Sequence, residues 1–318
     1  MTKRDIICVF PGQGSQYPGM GVAVLNEFTE FAYVFEEASD ALSLDMLKLV
    51  SSDEDTLKLT SNAQPCLLTV SYLYYKILES RLGITPSLFA GHSLGEYSAL
   101  CASARLDFSE AVKLVRQRGI LMQEAVPVGV GGMMAIVGSY PDLDIDALCK
   151  EVSSDDYVAV ANYNSPQQVV VSGHLSAINR LAEKLSSFSV KHIPLNVSAP
   201  FHSKLMKPAK EGMRTYLDQT KLTENSTQIS PNIFGDIRST YEISYLVDQI
   251  DSPVRWTDTN VNIEKAFTQD PDSTPVYLEV GSSKVLSNLA KRSFKASFTI
   301  VPTDNLKASL TLLESVIK

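Results

Sequence analysis

Phe89-Ala90-Gly91-His92-Ser93-Leu94-Gly95-Glu96-Tyr97 contains G-x-S-x-G, the pattern of a nucleophile elbow, in which a serine sits on a sharp turn between a strand and a helix. A pattern this short also arises by chance, so the flanks decide its weight. Pro86–Ala90 reads as a short buried strand, and Leu94–Ser103, rich in Leu and Ala, reads as the helix that follows. Gly91 and Gly95 fit a turn too tight for side chains, where strand and helix backbones nearly touch. The stretch therefore predicts an α/β fold and names Ser93 as a candidate nucleophile.

The apolar run Ile6–Phe10 stops at Pro11-Gly12. It is too short for a signal-peptide core and predicts a first strand. The loop that follows, through Gln13-Gly14-Ser15-Gln16, lacks the Gly-Lys-Ser/Thr ending of a P-loop and the spacing of a dinucleotide fingerprint. Loops after a buried strand are where α/β sheets hold ligands. Gln13 offers an amide there, although a plain turn fits equally well. Helices are predicted over Leu25–Leu42, Pro65–Leu82 and Ser109–Glu124. In the last, Ala111, Leu114, Val115, Leu121 and Met122 form an apolar stripe, and Arg118 falls on it. A charge facing inward is costly unless paired. The pattern leaves two readings open: a structural arginine, or a guanidinium kept for a ligand carboxylate, which its fork geometry suits.

Gly129-Val130-Gly131-Gly132 marks a boundary. Beyond it the pattern runs strand Met133–Val137, helix Leu143–Val152, strands Val158–Asn162 and Gln168–Ser172, helix Leu175–Ser186, strand Val190–Pro194. That β-α-β-β-α-β order is the ferredoxin-like signature, with Asn162-Tyr163-Asn164-Ser165-Pro166 expected as the turn between the middle strands. The chain returns through Ser198-Ala199-Pro200-Phe201-His202-Ser203. A helix closes at Asp248-Gln249-Ile250, and a late strand Val276–Val280 leads to Gly281-Ser282-Ser283-Lys284 and a helix.

The chain's 318 residues exceed what one core usually fills. A formal net charge of -8 and the lack of a long basic run argue against a nucleic-acid partner. No segment approaches the roughly 20 apolar residues of a membrane helix. Cys8, Cys66, Cys101 and Cys149 are far apart, without the spacing of zinc or redox motifs, so no metal and a reduced, cytoplasmic setting are expected.

A serine needs a base, usually histidine. Of the four histidines, His92 adjoins Ser93, where neighbouring side chains point apart; it can line the site but hardly reach the serine proton. His174 lies at a strand-to-helix turn and His192 in an alternating strand. His202, at the domain return and downstream of the serine, is the strongest candidate. An oxyanion hole would use the N–H of Leu94, the residue after the nucleophile, with Gln13 placed to supply a second donor. No aspartate sits in an obvious strand-end loop between Ser93 and His202, so a carbonyl is the alternative partner for the imidazole.

Together, Phe10-Pro11-Gly12-Gln13-Gly14-Ser15-Gln16, Gly91-His92-Ser93-Leu94-Gly95-Glu96-Tyr97-Ser98-Ala99-Leu100, Arg116-Gln117-Arg118-Gly119, Asn162-Tyr163-Asn164-Ser165-Pro166 and Ser198-Ala199-Pro200-Phe201-His202-Ser203 resemble malonyl-CoA:acyl carrier protein transacylases, in the family's order and over nearly the whole chain. The resemblance implies a hydrolase-like α/β core with a mostly parallel sheet, residues 1–130 and 196–318, and a ferredoxin-like insert, residues 131–195. It implies a ping-pong transfer: Ser93 takes malonyl from malonyl-CoA with His202 as base, then passes it to the phosphopantetheine thiol of an acyl carrier protein in fatty acid biosynthesis. Gln13 and Leu94 would form the oxyanion hole, Arg118 would hold the malonyl carboxylate, and the Gln249 carbonyl would orient His202. His92, Asn162 and Phe201 would line the pocket, the Phe201 ring crowding a methyl-branched acyl group.

The resemblance further implies a monomer with no bound cofactor, coenzyme A thioester serving only as substrate, and no membrane. Two departures stand out: Gly281-Ser282-Ser283-Lys284 where the family often has Gly-Pro-Gly-Lys, and Asn232-Ile233-Phe234-Gly235-Asp236 where Asn-Val is usual. Both are expected in surface loops or at carrier docking, away from the catalytic groups. The alternatives are an acyltransferase loading polyketide carrier domains and a serine acyl hydrolase, against which Arg118 counts.

Overall fold

The computed structural model describes residues 4–270 and 272–317. Met1, Thr2 and Lys3, at the start of the core expected over residues 1–130, lie outside them. Nine strands are present among the described residues: β1 (Ile6–Phe10), β2 (Leu88–Gly91), β3 (Gly131–Val137), β4 (Val158–Ser165), β5 (Gln168–His174), β6 (His192–Pro194), β7 (Gln228–Ser230), β8 (Val276–Glu279) and β9 (Thr299–Pro302). They form two sheets. The first is parallel throughout, in the order β7-β2-β1-β8-β9. The second is antiparallel, in the order β4-β5-β3-β6, which is the ferredoxin-like arrangement.

β1 is buried at every position because helices cover both faces of the parallel sheet. Its alternate side chains divide between two cores: Ile6, Cys8 and Phe10 face one, Ile7 and Val9 the other. The antiparallel sheet has its own core, in which Met134, Ile136, Val158 and Val171 pack against Leu148, Leu181 and Leu185 of helices 145–152 and 175–187. All four cysteines are free and buried.

Several expected elements are revised. The helix expected over Leu25–Leu42 is two helices, Val22–Glu27 and Tyr33–Leu42, separated where Phe28 leaves helical geometry at φ -118°, ψ 60°. The helix expected from Pro65 begins at Thr60. Proline deprives the Ser61 carbonyl of its helical donor, and the Arg116 guanidinium donates to that oxygen instead, at 2.6 Å. Asn162–Ser165 belongs to β4, not to a turn. Register shifts between Val160 and Asn162, and between Tyr163 and Ser165, carry the strand on to Ser165. Strand β7 and helix Trp256–Phe267 were not expected.

The C-terminal ends of β1, β2 and β8 open on one edge of the parallel sheet. From there come the Gly12–Gln16 loop, the Ser93 turn and the approach to helix 285–293. The insert lies across this edge. Asn162 of β4 bridges to Val254, Tyr163 N–H donates to the Val254 carbonyl at 2.9 Å, and Val254 N–H donates to the Ala161 carbonyl at 2.8 Å.

Candidate active site

Between the two sheets lies a cavity of about 340 Å³, lined by Gln13, Ser93, Leu94, Arg118, His202, Asn162 and Phe201 among others. The elbow is as tight as its glycines suggest. A Cβ on Gly91 would stand 1.9 Å from the Gly95 carbonyl oxygen, and one on Gly95 would stand 2.0 Å from that of Phe10. Ser93 itself has φ 53°, a left-handed conformation that costs a non-glycine residue about 1–3 kcal/mol. Asn232 offsets that strain. Its Oδ1 accepts from Ser93 N–H at 2.7 Å and its Nδ2 donates to the Gly91 carbonyl at 2.6 Å. The side chain thus pins both ends of the turn.

His202 stands opposite, also at a positive φ, 55°. Its Nε2 is 2.7 Å from Ser93 Oγ, and its Nδ1 is 2.9 Å from the Gln249 carbonyl oxygen. A carbonyl can only accept, so Nδ1 carries the hydrogen and Nε2 is left to take the serine proton. Burial, reinforced by Arg118, pulls the His202 pKa down to about 3. The imidazole is neutral at any ordinary pH, as a base must be.

Arg118 is 2 % exposed. Its Nη1 donates to Gln64 Oε1 at 2.8 Å, and its Nη2 donates to Gln249 Oε1 at 2.8 Å and to Ser93 Oγ at 3.1 Å. Its Nε has no partner, and among the described residues no carboxylate comes within ion-pair distance. Burial lowers its pKa, yet a guanidinium stays charged. Among those residues, then, a buried cation beside the candidate nucleophile is met by neutral groups alone: two amides, a hydroxyl and the face of the Tyr97 ring, 5.7 Å from its centroid.

Ser93 N–H is taken by Asn232, which leaves Leu94 N–H as the elbow's available donor. Among the described residues neither Leu94 N–H nor Gln13 N–H has an acceptor. The Gln13 side chain is engaged elsewhere, donating to Thr60 Oγ1 at 3.2 Å, so its main chain is the part free to face a developing oxyanion. His92 is a wall of the cavity. Its Nε2 meets Asn164 Oδ1 at 2.8 Å, and its ring packs edge-on to Trp256 at 5.5 Å. His174 lies on the insert, bonded through Nδ1 to Tyr157 N–H, and half-buried His192 lies on β6.

Four residues escaped the sequence reading. Asn232 lay in a stretch expected to sit away from the catalytic groups; it is 1 % exposed and holds the serine backbone. Gln64 and Tyr241 bear no local mark of their roles. Glu96 did carry a signal, being the one charge on a helix, Gly95–Ala102, whose every residue is buried. The Gly281–Lys284 departure is not remote either. Ser282 and Ser283 are buried, and Val285, Leu286 and Leu289 just beyond them line the cavity.

The acyl transferase domain family matches residues 7–307. A malonyl CoA-acyl carrier protein transacylase of Bacillus subtilis is 42% identical over 292 residues, 90% of this chain and 72% of that protein. The structure of the corresponding transacylase from Coxiella burnetii superposes with a TM-score of 0.91 at 33% identity, covering 100% of both chains. A malonyl-transacylase solved with its type II polyketide acyl-carrier protein superposes with a TM-score of 0.90 at 37% identity, over 98% of this chain and 99% of that one.

Proposed function

The chain belongs to the malonyl CoA-acyl carrier protein transacylase family of acyltransferases, and we propose that it moves malonyl from malonyl-CoA to the phosphopantetheine thiol of an acyl carrier protein in fatty acid biosynthesis. The observation that carries the substrate assignment is Arg118, a buried guanidinium beside Ser93 with no carboxylate of the protein's own among the described residues. A malonyl group on Ser93 supplies one. A neutral acyl chain, as a lipase would hold, gives that cation no partner.

In this reading Ser93 Oγ attacks the thioester carbonyl while His202 Nε2 takes its proton. The carbonyl oxygen becomes an oxyanion held by Leu94 N–H and the main-chain N–H of Gln13, near the N-terminus of helix 95–102. The tetrahedral adduct collapses, the bond to sulfur breaks, and His202 returns the proton to the leaving thiolate of coenzyme A. The carrier's thiol then enters by the same route in reverse, giving its proton to His202 and leaving with the malonyl group. Gln249 holds His202 through its carbonyl and Arg118 through its side chain, so one residue keeps base and carboxylate anchor in register. The core spans residues 1–130 and 196–318 and the insert 131–195, with the insert closing the cavity over the acyl group.

A second acceptor has support of its own, because one structural relative was solved with a type II polyketide carrier. Labelled malonyl-CoA offered with fatty-acid and polyketide carrier proteins separately tests both. Faster transfer to the fatty-acid carrier is expected, and no transfer to either would refute the proposal.

A further inference from the structure

Glu96 is 1 % exposed and lies beneath the elbow, without contact with the cavity. Its Oε1 accepts from the Tyr241 hydroxyl at 2.7 Å and from Asn232 N–H at 3.3 Å, and its Oε2 accepts from the Gln249 side-chain amide. Every partner donates, which is what an ionised carboxylate requires. The two residues it grips are those that hold the site. Asn232 clamps Ser93, and Gln249 touches Ser93 O at 3.0 Å through Nε2, Arg118 through Oε1 and His202 through its carbonyl.

We propose that Glu96 is a positioning residue for the substrate carboxylate: as a carboxylate it draws the Gln249 NH₂ group inward, which turns Oε1 toward Arg118 and holds the guanidinium beside Ser93. A protonated Glu96 must donate through one oxygen: on Oε1 the acceptor is the Tyr241 hydroxyl, which then gives up its own donation, and on Oε2, which faces the Gln249 amide, there is an acceptor only if that amide turns over. That turn would aim an NH₂ group at Arg118, and the anchor would lose its place. The inference rests on the malonyl reading above.

The groups facing Glu96 that carry charge or a titratable proton are Tyr97 on its own helix, Arg118 from helix 108–124 and Tyr241 from the segment before helix 243–249. Burial holds both phenols far above neutral pH, and Arg118 stays charged. Burial pushes Glu96 up to about 7, whereas His202 is held down to about 3. Glu96 is therefore the member of this network that changes state near neutrality. Because its ionised form is the competent one, use of malonyl-CoA is present above that pH and is lost as pH falls through it.

The test is the rate of malonyl-serine formation by the full-length protein between about pH 5 and about pH 9, with acetyl-CoA as the uncharged comparison. The wild type should lose malonyl transfer below about pH 7 and acetyl transfer far less. Glu96→Gln should abolish that acid limb and lower malonyl transfer about tenfold at pH 8, with a smaller effect on acetyl transfer. A folded variant that keeps the limb, or loses both substrates equally, would overturn the inference. Tyr241→Phe carries the test if Glu96→Gln does not fold. Removing a donor to Oε1 raises the pH at which Glu96 ionises, so the limb should move to higher pH, and an unmoved limb contradicts the proposal. Absence of any malonyl-serine in the wild type would instead overturn the parent reading, and this inference with it.

Discussion

Arg118 shows how a residue's meaning depends on what surrounds it. On the sequence it is a charge on an apolar stripe, with structural and functional readings equally available. In the fold it has two amide partners, the Ser93 hydroxyl and a free Nε, and among the described residues no carboxylate within reach. Such a site is unfinished until an anion enters. Arg118→Ala should therefore lower kcat/KM for malonyl-CoA by about 30-fold more than for acetyl-CoA, since a hydrogen-bonded contact to a charged group is worth about 2 kcal/mol. Steady-state kinetics with both thioesters decide it, and equal losses would make the arginine structural. His202 was reachable by elimination among four histidines. Its partner was not, because a main-chain carbonyl has no side-chain signature, and only the resemblance pointed to Gln249. Asn232 was misjudged for a similar reason: its role arises where β7 ends beside β2, a proximity of the fold that its neighbours in sequence do not encode.

The elbow was the most legible element because its demands are local. Strand, turn and helix are contiguous, and the two glycines are required by backbone contacts within the motif and with Phe10. Gly95→Ala would drive a methyl group to 2.0 Å from the Phe10 carbonyl oxygen, a backbone atom that cannot swing aside. That variant should lower the melting temperature by several degrees and nearly abolish acyl transfer, readable by calorimetry and assay; a wild-type melting curve would mean that strand and helix can part cheaply. Elements supported by distant contacts were harder to see. β7 is three residues long and exists as the edge partner of β2. The first turn of helix 60–82 extends past a proline because Arg116, more than fifty residues away, satisfies the orphaned carbonyl. Asn162 and Asn164 look like turn residues, yet bulges in β4 keep them in the strand, both lining the cavity.

In the whole molecule the division of labour follows the two sheets. The parallel sheet presents Ser93, Leu94 and Gln13 along one edge, where open α/β sheets hold ligands, and His202 comes from the loop that leaves β6. The antiparallel sheet closes over that edge and is tied to it at Val254 as well as through its two chain connections. The β-α-β-β-α-β order was readable because each piece has its own periodicity. The tie at Val254 was not, since it joins segments some ninety residues apart. Everything in this account converges on one covalent species, a malonyl ester on Ser93. Intact-protein mass spectrometry after brief mixing with malonyl-CoA, without a carrier protein, reads it directly. One added malonyl group is expected, mapping to Ser93 and absent from Ser93→Ala. An unmodified wild type, or an adduct that survives in Ser93→Ala, would contradict it.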